Sequence, residues 1–224
     1  MAQTLDSHWP ESSSSNLQTP DSTVDVHIVY AHPGKHSLTH EVLASFLRGL
    51  GDAGRTHSIS DLYAMGFNPV LGLADYEREH NYRADDCLPA DVVAEQGKLN
   101  AADVWAFIYP VWWTDCPAIL KGWFDRVWTV GFAYKPRAVV PARKALVICT
   151  AGHTEAHLRE TGCYQAMETT MLTDRLYDRA KEKEFILLGG SEALQGSEWE
   201  QQKSLHMTTA YRLGRDLASE SAAK

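Results

Sequence analysis

The 224-residue sequence lacks the features that would place it in several large classes of protein. It has 21 Lys and Arg residues against 29 Asp and Glu, and a net charge of -8 disfavours nonspecific nucleic-acid binding, which needs a basic face. The acidic balance also disfavours a polybasic membrane anchor, and no apolar run approaches the roughly 20 residues of a membrane span. We therefore expect no nucleic-acid partner and no direct membrane insertion.

Cysteine is sparse too, with four residues and no C-x-x-C spacing. Few cysteines without a pairing pattern indicate reduced thiols and a cytoplasmic protein. His153 and His157 are four residues apart, but they lack the HExxH order and a third ligand, so no metal site is expected. Residues 1–23 are Ser-rich and polar, which predicts a disordered tail before a single domain at 24–224.

What the sequence does contain is an alternation of short apolar runs with longer amphipathic stretches. The apolar runs predict strands at residues 24–31, 56–62, 103–113, 144–152 and 184–190. The amphipathic stretches predict helices at residues 37–54, 89–102, 117–131, 164–181 and 197–218. Residues 64–90 hold several Gly, Pro and charged residues, which predicts a long excursion with little regular structure.

This order predicts an α/β protein whose parallel sheet is covered by helices on both faces. Five strands and five helices match a flavodoxin-like three-layer sandwich with strand order 2-1-3-4-5. In this fold a ligand binds beyond the carboxyl ends of the strands, at the switch point between strands 1 and 3. The loops after Tyr30, Tyr109 and Cys149 are therefore predicted to meet.

The loop after strand 1 suits an anionic group. It carries basic His32, Lys35 and His36, while Ser37 and Thr39 are candidate caps of the following helix. The loop has neither the GxGxxG nor the P-loop pattern, so an ordinary polar turn is an equally good interpretation.

The loop after strand 3 contains two adjacent tryptophans between Pro110 and Pro117. An indole can stack on a flat heteroaromatic ring, although core packing is the commoner use of Trp. We expect one of Trp112 and Trp113 to be buried and the other to line the site. Further along, Trp123 and Trp128 are expected in the core or at a dimer interface.

The loop after strand 4 begins with the small residues Thr150, Ala151 and Gly152, which let a ligand approach the backbone closely. His153 and His157 follow. A His beside an electron-accepting ring can stabilise negative charge or move a proton near neutral pH. For either His alone, an exposed surface position is the alternative interpretation.

Four segments together resemble the NAD(P)H:quinone oxidoreductases. They are "VYAHP", "DLYAMGFNPVL", "YPVWWTDCPAILKGWFDRV" and "GFAY". The resemblance covers residues 25–155, and the run from Pro110 to Arg126 is its most specific part. It implies a flavin enzyme that passes two electrons by hydride transfer from NAD(P)H to a quinone or similar small acceptor. It also implies a homodimer with its site at the dimer interface.

The resemblance assigns roles to individual residues. It implies that the phosphate region of the flavin contacts His32, Ser37, Leu38 and Thr39. It places Asn68 in the cofactor-proximal F-N-P turn. The isoalloxazine ring would be flanked by Pro110, Val111, Trp112 and Trp113, and cradled by Thr150, Ala151, Gly152 and His153. Tyr134 would approach the substrate pocket from the partner subunit, and the candidate catalytic residues are His153, His157 and Tyr134.

The sequence also departs from the family. Thr114 and Asp115 replace an aromatic–glycine pair, while His157 and Cys163 stand where the family has a Tyr and a His that relay charge. The absence of a flavodoxin phosphate loop favours FAD, with FMN as the alternative. Two other functions stay open: a regulatory flavoprotein that binds a membrane transporter, and a flavodoxin-type electron carrier. The 64–90 excursion and the "GFAY" segment favour a built pocket, and hence an enzyme.

Overall fold

The computed structural model describes residues 24–217, so the tail predicted at residues 1–23 lies outside the described residues. The apolar runs form strands β1 Val24–Tyr30, β2 His57–Asp61, β3 Ala102–Pro110, β4 Ala142–Ala151 and β5 Ala180–Gly189. All neighbouring strands pair in parallel in the order β2-β1-β3-β4-β5. The predicted flavodoxin-like sheet is confirmed.

Helices cover both faces of the sheet. They are α1 Leu38–Asp52, α2 Leu73–His80, α3 Ala90–Asn100, α4 Ala118–Val127, α5 Glu155–Glu160, α6 Cys163–Glu168 and α7 Gly196–Asp216. A π-helical segment, Thr169–Arg175, continues α6. Ser37 caps α1 by accepting from the His40 amide at 3.2 Å, whereas Thr39 lies inside the helix.

The alternation along β3 divides the core between two layers. Val104, Ala106 and Ile108 pack in the layer under α1 and α7. Trp105 and Phe107 point to the opposite face and pack against α4, where the ring of Phe107 lies 5.9 Å from that of Trp123. Trp123 is fully buried and Trp128 is half-buried against the same cluster, which confirms the core interpretation for this pair.

Helices α1 and α7 cross at two glycines. A Cβ atom on Gly49 would lie 2.1 Å from the carbonyl oxygen of Tyr211, and one on Gly214 would lie 2.2 Å from that of Phe46. Only glycine permits two backbones to approach this closely. The crossing fixes α7 on the sheet face that also carries α1.

The prediction of little regular structure at residues 64–90 is wrong in part, because α2 lies there. The eight-residue helix has Arg78 buried on its inner side, paired with Asp75 at 3.2 Å and Glu79 at 2.7 Å. Charged residues usually mark a solvated surface, so the pattern gave no sign that a buried ion-pair network stabilises this helix.

The predicted helix at residues 164–181 is also wrong in its limits. The helical backbone changes to the π form at Thr169 and ends at Arg175, and strand β5 begins at Ala180, four residues before its predicted start. The first half of β5 is charged because β5 is an edge strand, where Glu184 pairs with Lys144 of β4 at 3.2 Å. Helix α5, with six residues and a Thr154 cap, was not predicted.

Candidate functional site

Two of the three predicted loops form the walls of one cavity at the carboxyl ends of β3 and β4. Its volume is about 430 Å³, within the range of small-molecule sites. It is lined by Val111, Trp112, Trp113, Thr114, Ala151, Gly152, His153, Leu158 and Glu192. Six of these residues belong to the predicted set, whereas Thr114, Leu158 and Glu192 were not predicted. The cavity therefore lies at the carboxyl ends of the strands, the edge where the strand order predicts a ligand, but beside β3 and β4 and not between β1 and β3.

A tight turn at Trp112–Asp115 forms one wall. Trp112 and Asp115 exchange backbone hydrogen bonds of 2.9 and 3.2 Å, and both central residues have positive φ, 53° at Trp113 and 59° at Thr114. Positive φ at both central positions is typical of a type I′ turn. Strand β3 therefore ends at Pro110 instead of reaching Trp113.

Neither tryptophan of this turn is buried, which corrects the prediction that one of them is. Trp113 is 100% exposed and Trp112 is 41% exposed. The reason is the turn itself, because left-handed backbone at Trp113 directs its side chain away from the sheet. The ring of Trp112 lies 6.4 Å from that of His32, so Trp112 joins the cavity to the loop after β1.

Asp115 anchors the turn to the rest of the domain. Its carboxylate accepts two hydrogen bonds from Arg175, at 2.8 and 3.0 Å, and one from the Cys116 amide at 2.6 Å. Burial alone would raise the pKa of Asp115, but the hydrogen bonds and charge of Arg175 outweigh it and lower that pKa. Asp115 is therefore held as a carboxylate.

The loop after β4 forms the opposite wall. Gly152 lies under Glu192, since a Cβ atom on Gly152 would be 2.8 Å from the Glu192 carboxyl carbon. The amide of Glu192 donates to the carbonyl oxygen of Gly152 at 3.0 Å. Glu192 follows β5, so its place after a parallel strand is the signal that could have identified it.

The two predicted catalytic histidines lie side by side. The rings of His153 and His157 are 4.6 Å apart, and both are exposed, with His153 in the cavity wall. Near them, hydrogen bonds with Thr161 and Thr114 lower the pKa of the Cys163 thiol. Of the departures from the family, Thr114 lines the cavity, while His157 and Cys163 contact the lining residues His153 and Thr114.

The loop after β1 is internally hydrogen-bonded. The Gly34 amide donates to Nδ1 of His32 at 2.9 Å, and the Ser37 hydroxyl lies 3.2 Å from the same atom. Behind it, the hydroxyl oxygens of Thr39 and Thr150 lie 2.7 Å apart, and this hydrogen bond joins α1 to β4.

Two other residues of the predicted set pack in the interior instead of lining the cavity. Leu38 is half-buried against the α1–α7 layer, and Pro110 is buried at the end of β3.

Asn68 and Tyr134 are not among the described residues that line the cavity. Asn68 accepts from the Val70 amide with its side chain and from Arg126 with its carbonyl oxygen. The Tyr134 hydroxyl donates to Glu79 at 2.6 Å. Burial and this hydrogen bond raise the pKa of Tyr134, so its phenol stays protonated.

The described residues also limit what other chemistry the domain offers. A cavity of about 340 Å³ lies between the start of β4 and the end of α7, which is the wrong edge of the sheet for the switch-point site. Within residues 24–217, no group of three His, Cys, Asp or Glu residues is arranged to hold a metal ion. None of the helices in that range is long and apolar enough to span a membrane.

Comparison with known proteins places these features in a family. A family profile described as "Flavodoxin-like fold" matches residues 25–176. The solved structure of an NAD(P)H:quinone oxidoreductase from Methanothermobacter marburgensis is 43% identical, with a TM-score of 0.81, covering 87% of this chain and 96% of that one. A putative quinone reductase from Klebsiella pneumoniae is 25% identical with a TM-score of 0.72, covering 85% of each chain.

Among curated relatives, NAD(P)H dehydrogenase [quinone] 1 of Cavia porcellus is 34% identical over 147 residues. This match covers 58% of the present chain and 54% of the relative. The chain therefore spans about half the length of the curated relatives that it matches.

Proposed function

Because the chain belongs to the flavodoxin-like NAD(P)H:quinone oxidoreductase family, we propose that it reduces a quinone or similar small acceptor with NAD(P)H through a bound flavin. The observation that carries the proposal is the single cavity between the Trp112–Asp115 turn and the Ala151–His153 loop. It combines exposed indole surface with small residues at the carboxyl ends of β3 and β4.

The residues of this cavity fit a flavin. Trp113 offers an exposed flat surface for stacking, while Ala151 and Gly152 add little side-chain bulk to the opposite wall, where the Glu192 side chain covers Gly152. When bound, the flavin would supply the hydride chemistry, taking two electrons from NAD(P)H and passing them to the acceptor. The chain itself would orient the ring, and the His153–His157 pair would exchange the accompanying protons with solvent.

For the phosphate end of the cofactor, we propose the loop from His32 to Thr39. Ser37 caps α1 at the end of this loop, and the N-terminus of a helix carries the partial positive charge that suits an anion. FAD is the proposed cofactor and FMN the alternative, on the ground that the sequence lacks a flavodoxin-type phosphate loop.

We also propose a homodimer that uses the 64–90 excursion. Large apolar side chains are exposed along it, with exposed fractions of 67% at Val70, 72% at Leu73 and 51% at Tyr76. Clustered exposed apolar residues are typical of protein interfaces. Glu79 of the same segment accepts a hydrogen bond from the Tyr134 hydroxyl, so Tyr134 is fixed beside the proposed interface, from which we propose that it enters the site of the partner subunit.

The absorption spectrum of the purified protein is the first test, because bound flavin is yellow. Heat release and chromatography then identify the cofactor as FAD or FMN. Steady-state oxidation of NADH and NADPH with menadione follows, with free flavin at the same concentration as the control. Turnover above that control supports the proposal. Bound flavin without turnover favours the regulatory flavoprotein or the electron carrier, and absence of bound flavin contradicts all three.

Sedimentation tests the homodimer separately. The variant Leu73→Glu places a charge in the exposed apolar segment and should shift the protein towards monomer. Leu205→Glu is the matched control, because Leu205 is 60% exposed on α7, away from the excursion. A wild-type protein that sediments as a monomer would refute this part of the proposal.

A further inference from the structure

Asp115 is one of the two adjacent positions, with Thr114, at which this chain departs from its family. It pairs with Arg175, which lies 60 residues later in the chain. Arg175 ends the π-helical segment and donates to both carboxylate oxygens of Asp115, at 2.8 and 3.0 Å. It is 6% exposed, and its guanidinium also lies 3.2 Å from the Cys116 sulfur. An arginine this buried, with a bidentate carboxylate, is held in one geometry.

The backbone conformation of the turn that Asp115 closes is unfavourable by itself. Trp113 and Thr114 both have left-handed φ values, and Thr114 is β-branched, a type that rarely adopts them. Such backbone persists where the surroundings fix it on more than one side. Here one tether is the pair of backbone bonds between Trp112 and Asp115, and the other is Arg175.

We propose that the Asp115–Arg175 ion pair is a positioning device, which holds the Trp113–Thr114 turn in its left-handed form and keeps the Trp113 indole exposed at the cavity before the flavin binds. The flavin part of this proposal rests on the proposed function, but the ordering of the turn does not. Asp115 and Arg175 are thus positioning residues that act through Trp113.

The ordering is measured first without flavin, by hydrogen exchange of the Trp112 and Asp115 amides in the full-length protein. Arg175→Met and Asp115→Asn should each speed this exchange by about tenfold or more, because the turn opens locally when its tether is lost. Asp125→Asn is the matched control, since it removes the exposed Lys121–Asp125 pair of α4, and it should leave the exchange unchanged. Unchanged exchange in both Asp115→Asn and Arg175→Met overturns the proposal.

A double-mutant cycle in flavin affinity then separates positioning from a general structural role. With Trp113 present, Arg175→Met should weaken flavin binding by about tenfold; in a Trp113→Ala background it should weaken it by less than about twofold. Equal losses in both backgrounds would overturn the claim that the pair acts through Trp113. Arg175→Lys, which keeps the charge without the bidentate fork, should give an intermediate affinity.

Two outcomes distinguish failure of this inference from failure of the proposed function. If the wild-type protein binds no flavin, the proposed function fails, while amide exchange still decides whether the pair orders the turn. If Arg175→Met does not fold, Asp115→Asn takes its place in both measurements, because it removes the charge but keeps the shape of the side chain.

Discussion

The hydroxyl oxygens of Thr39 and Thr150 lie 2.7 Å apart, and this buried hydrogen bond joins the first turn of α1 to the end of β4. It connects two of the loops that the strand order brings to the switch point. Thr150→Val keeps the shape of the side chain but leaves the Thr39 hydroxyl without this partner. We expect a loss of about 1–3 kcal/mol in the free energy of unfolding, measured by urea denaturation.

The double variant Thr39→Val/Thr150→Val should recover part of this loss, because it removes both polar groups. Thr208→Val is the matched control on α7, where the hydroxyl is exposed and donates to the Ser204 carbonyl oxygen at 2.9 Å. It should change stability by less than about 0.5 kcal/mol. Equal losses of unfolding free energy for Thr150→Val and Thr208→Val would show that the buried hydrogen bond stabilises the fold no more than an exposed one does.

Close approach of α1 and α7 gives a second prediction. Gly49→Ala would place a Cβ atom 2.1 Å from the Tyr211 carbonyl oxygen, so the helices must separate. We expect a loss of at least about 2 kcal/mol in unfolding free energy, since rigid backbone cannot move aside as a side chain can.

Gly97 offers the opposite case in α3, because a Cβ atom there would meet no heavy atom within 4 Å. Gly97→Ala should raise the unfolding free energy by roughly 0.5–1 kcal/mol, the helix preference for alanine. A stabilising Gly49→Ala would mean that the two helices are not held at this distance in solution.

Protonation of His27 gives a third prediction, in the pH dependence of stability. His27 is fully buried, with Nδ1 2.8 Å from the Ser58 hydroxyl. Burial lowers its pKa from 6.5 to about 4, opposed by the charge of Glu95 and assisted by that of Lys98. The unfolded chain therefore binds the proton first, and stability should fall as pH falls from 6.5 towards 4, by on the order of 1.4 kcal/mol per pKa unit.

His27→Asn keeps a polar atom near the position of Nδ1 but does not titrate, so its stability should fall less over this pH range. Urea denaturation at half-unit pH intervals measures the difference. Burial also lowers the pKa of His206. His206 titrates in both proteins, so its contribution to the pH dependence cancels in the comparison. His57→Asn changes an exposed His of β2 and is the control. Parallel pH profiles for wild type and His27→Asn would refute the assignment.

The fold was predictable from the sequence because its signals are local. Each buried strand is a short apolar run, and the parallel order follows from the alternation with helices. The ends of elements that depend on distant partners were not predictable. Helix α2 exists with a buried Arg78 among acidic residues, and the helix before β5 stops at Arg175, which bonds a residue 60 positions earlier.

The site, like the fold, was predictable only where its signals are local or follow from the strand order. The meeting of the β3 and β4 loops followed from the topology, so Val111 to Trp113 and Ala151 to His153 were expected together. The exposure of Trp112 and Trp113 was not expected, because it depends on positive φ in a turn that contains neither Gly nor Asn. Glu192 was missed because the loop after β5 carries no recognisable motif.

The exposed indole of Trp113 gives the last prediction. Trp113→Ala removes the flat surface that we place against the flavin, and it should weaken flavin binding by about tenfold or more. Trp113→Phe keeps an aromatic ring and should retain most of the affinity. Fluorescence titration of flavin-free protein with FAD and FMN measures both variants.

Backbone strain has to be separated from the loss of the ring, because alanine also disfavours the φ of 53° at this position. Trp113→Gly adopts that φ freely and also lacks the ring, so it should lose flavin as Trp113→Ala does. Leu205→Ala controls for loss of exposed apolar surface elsewhere, on α7. If Trp113→Gly binds flavin as tightly as the wild type, the indole does not contact the cofactor, and the turn contributes to the cavity through its backbone alone.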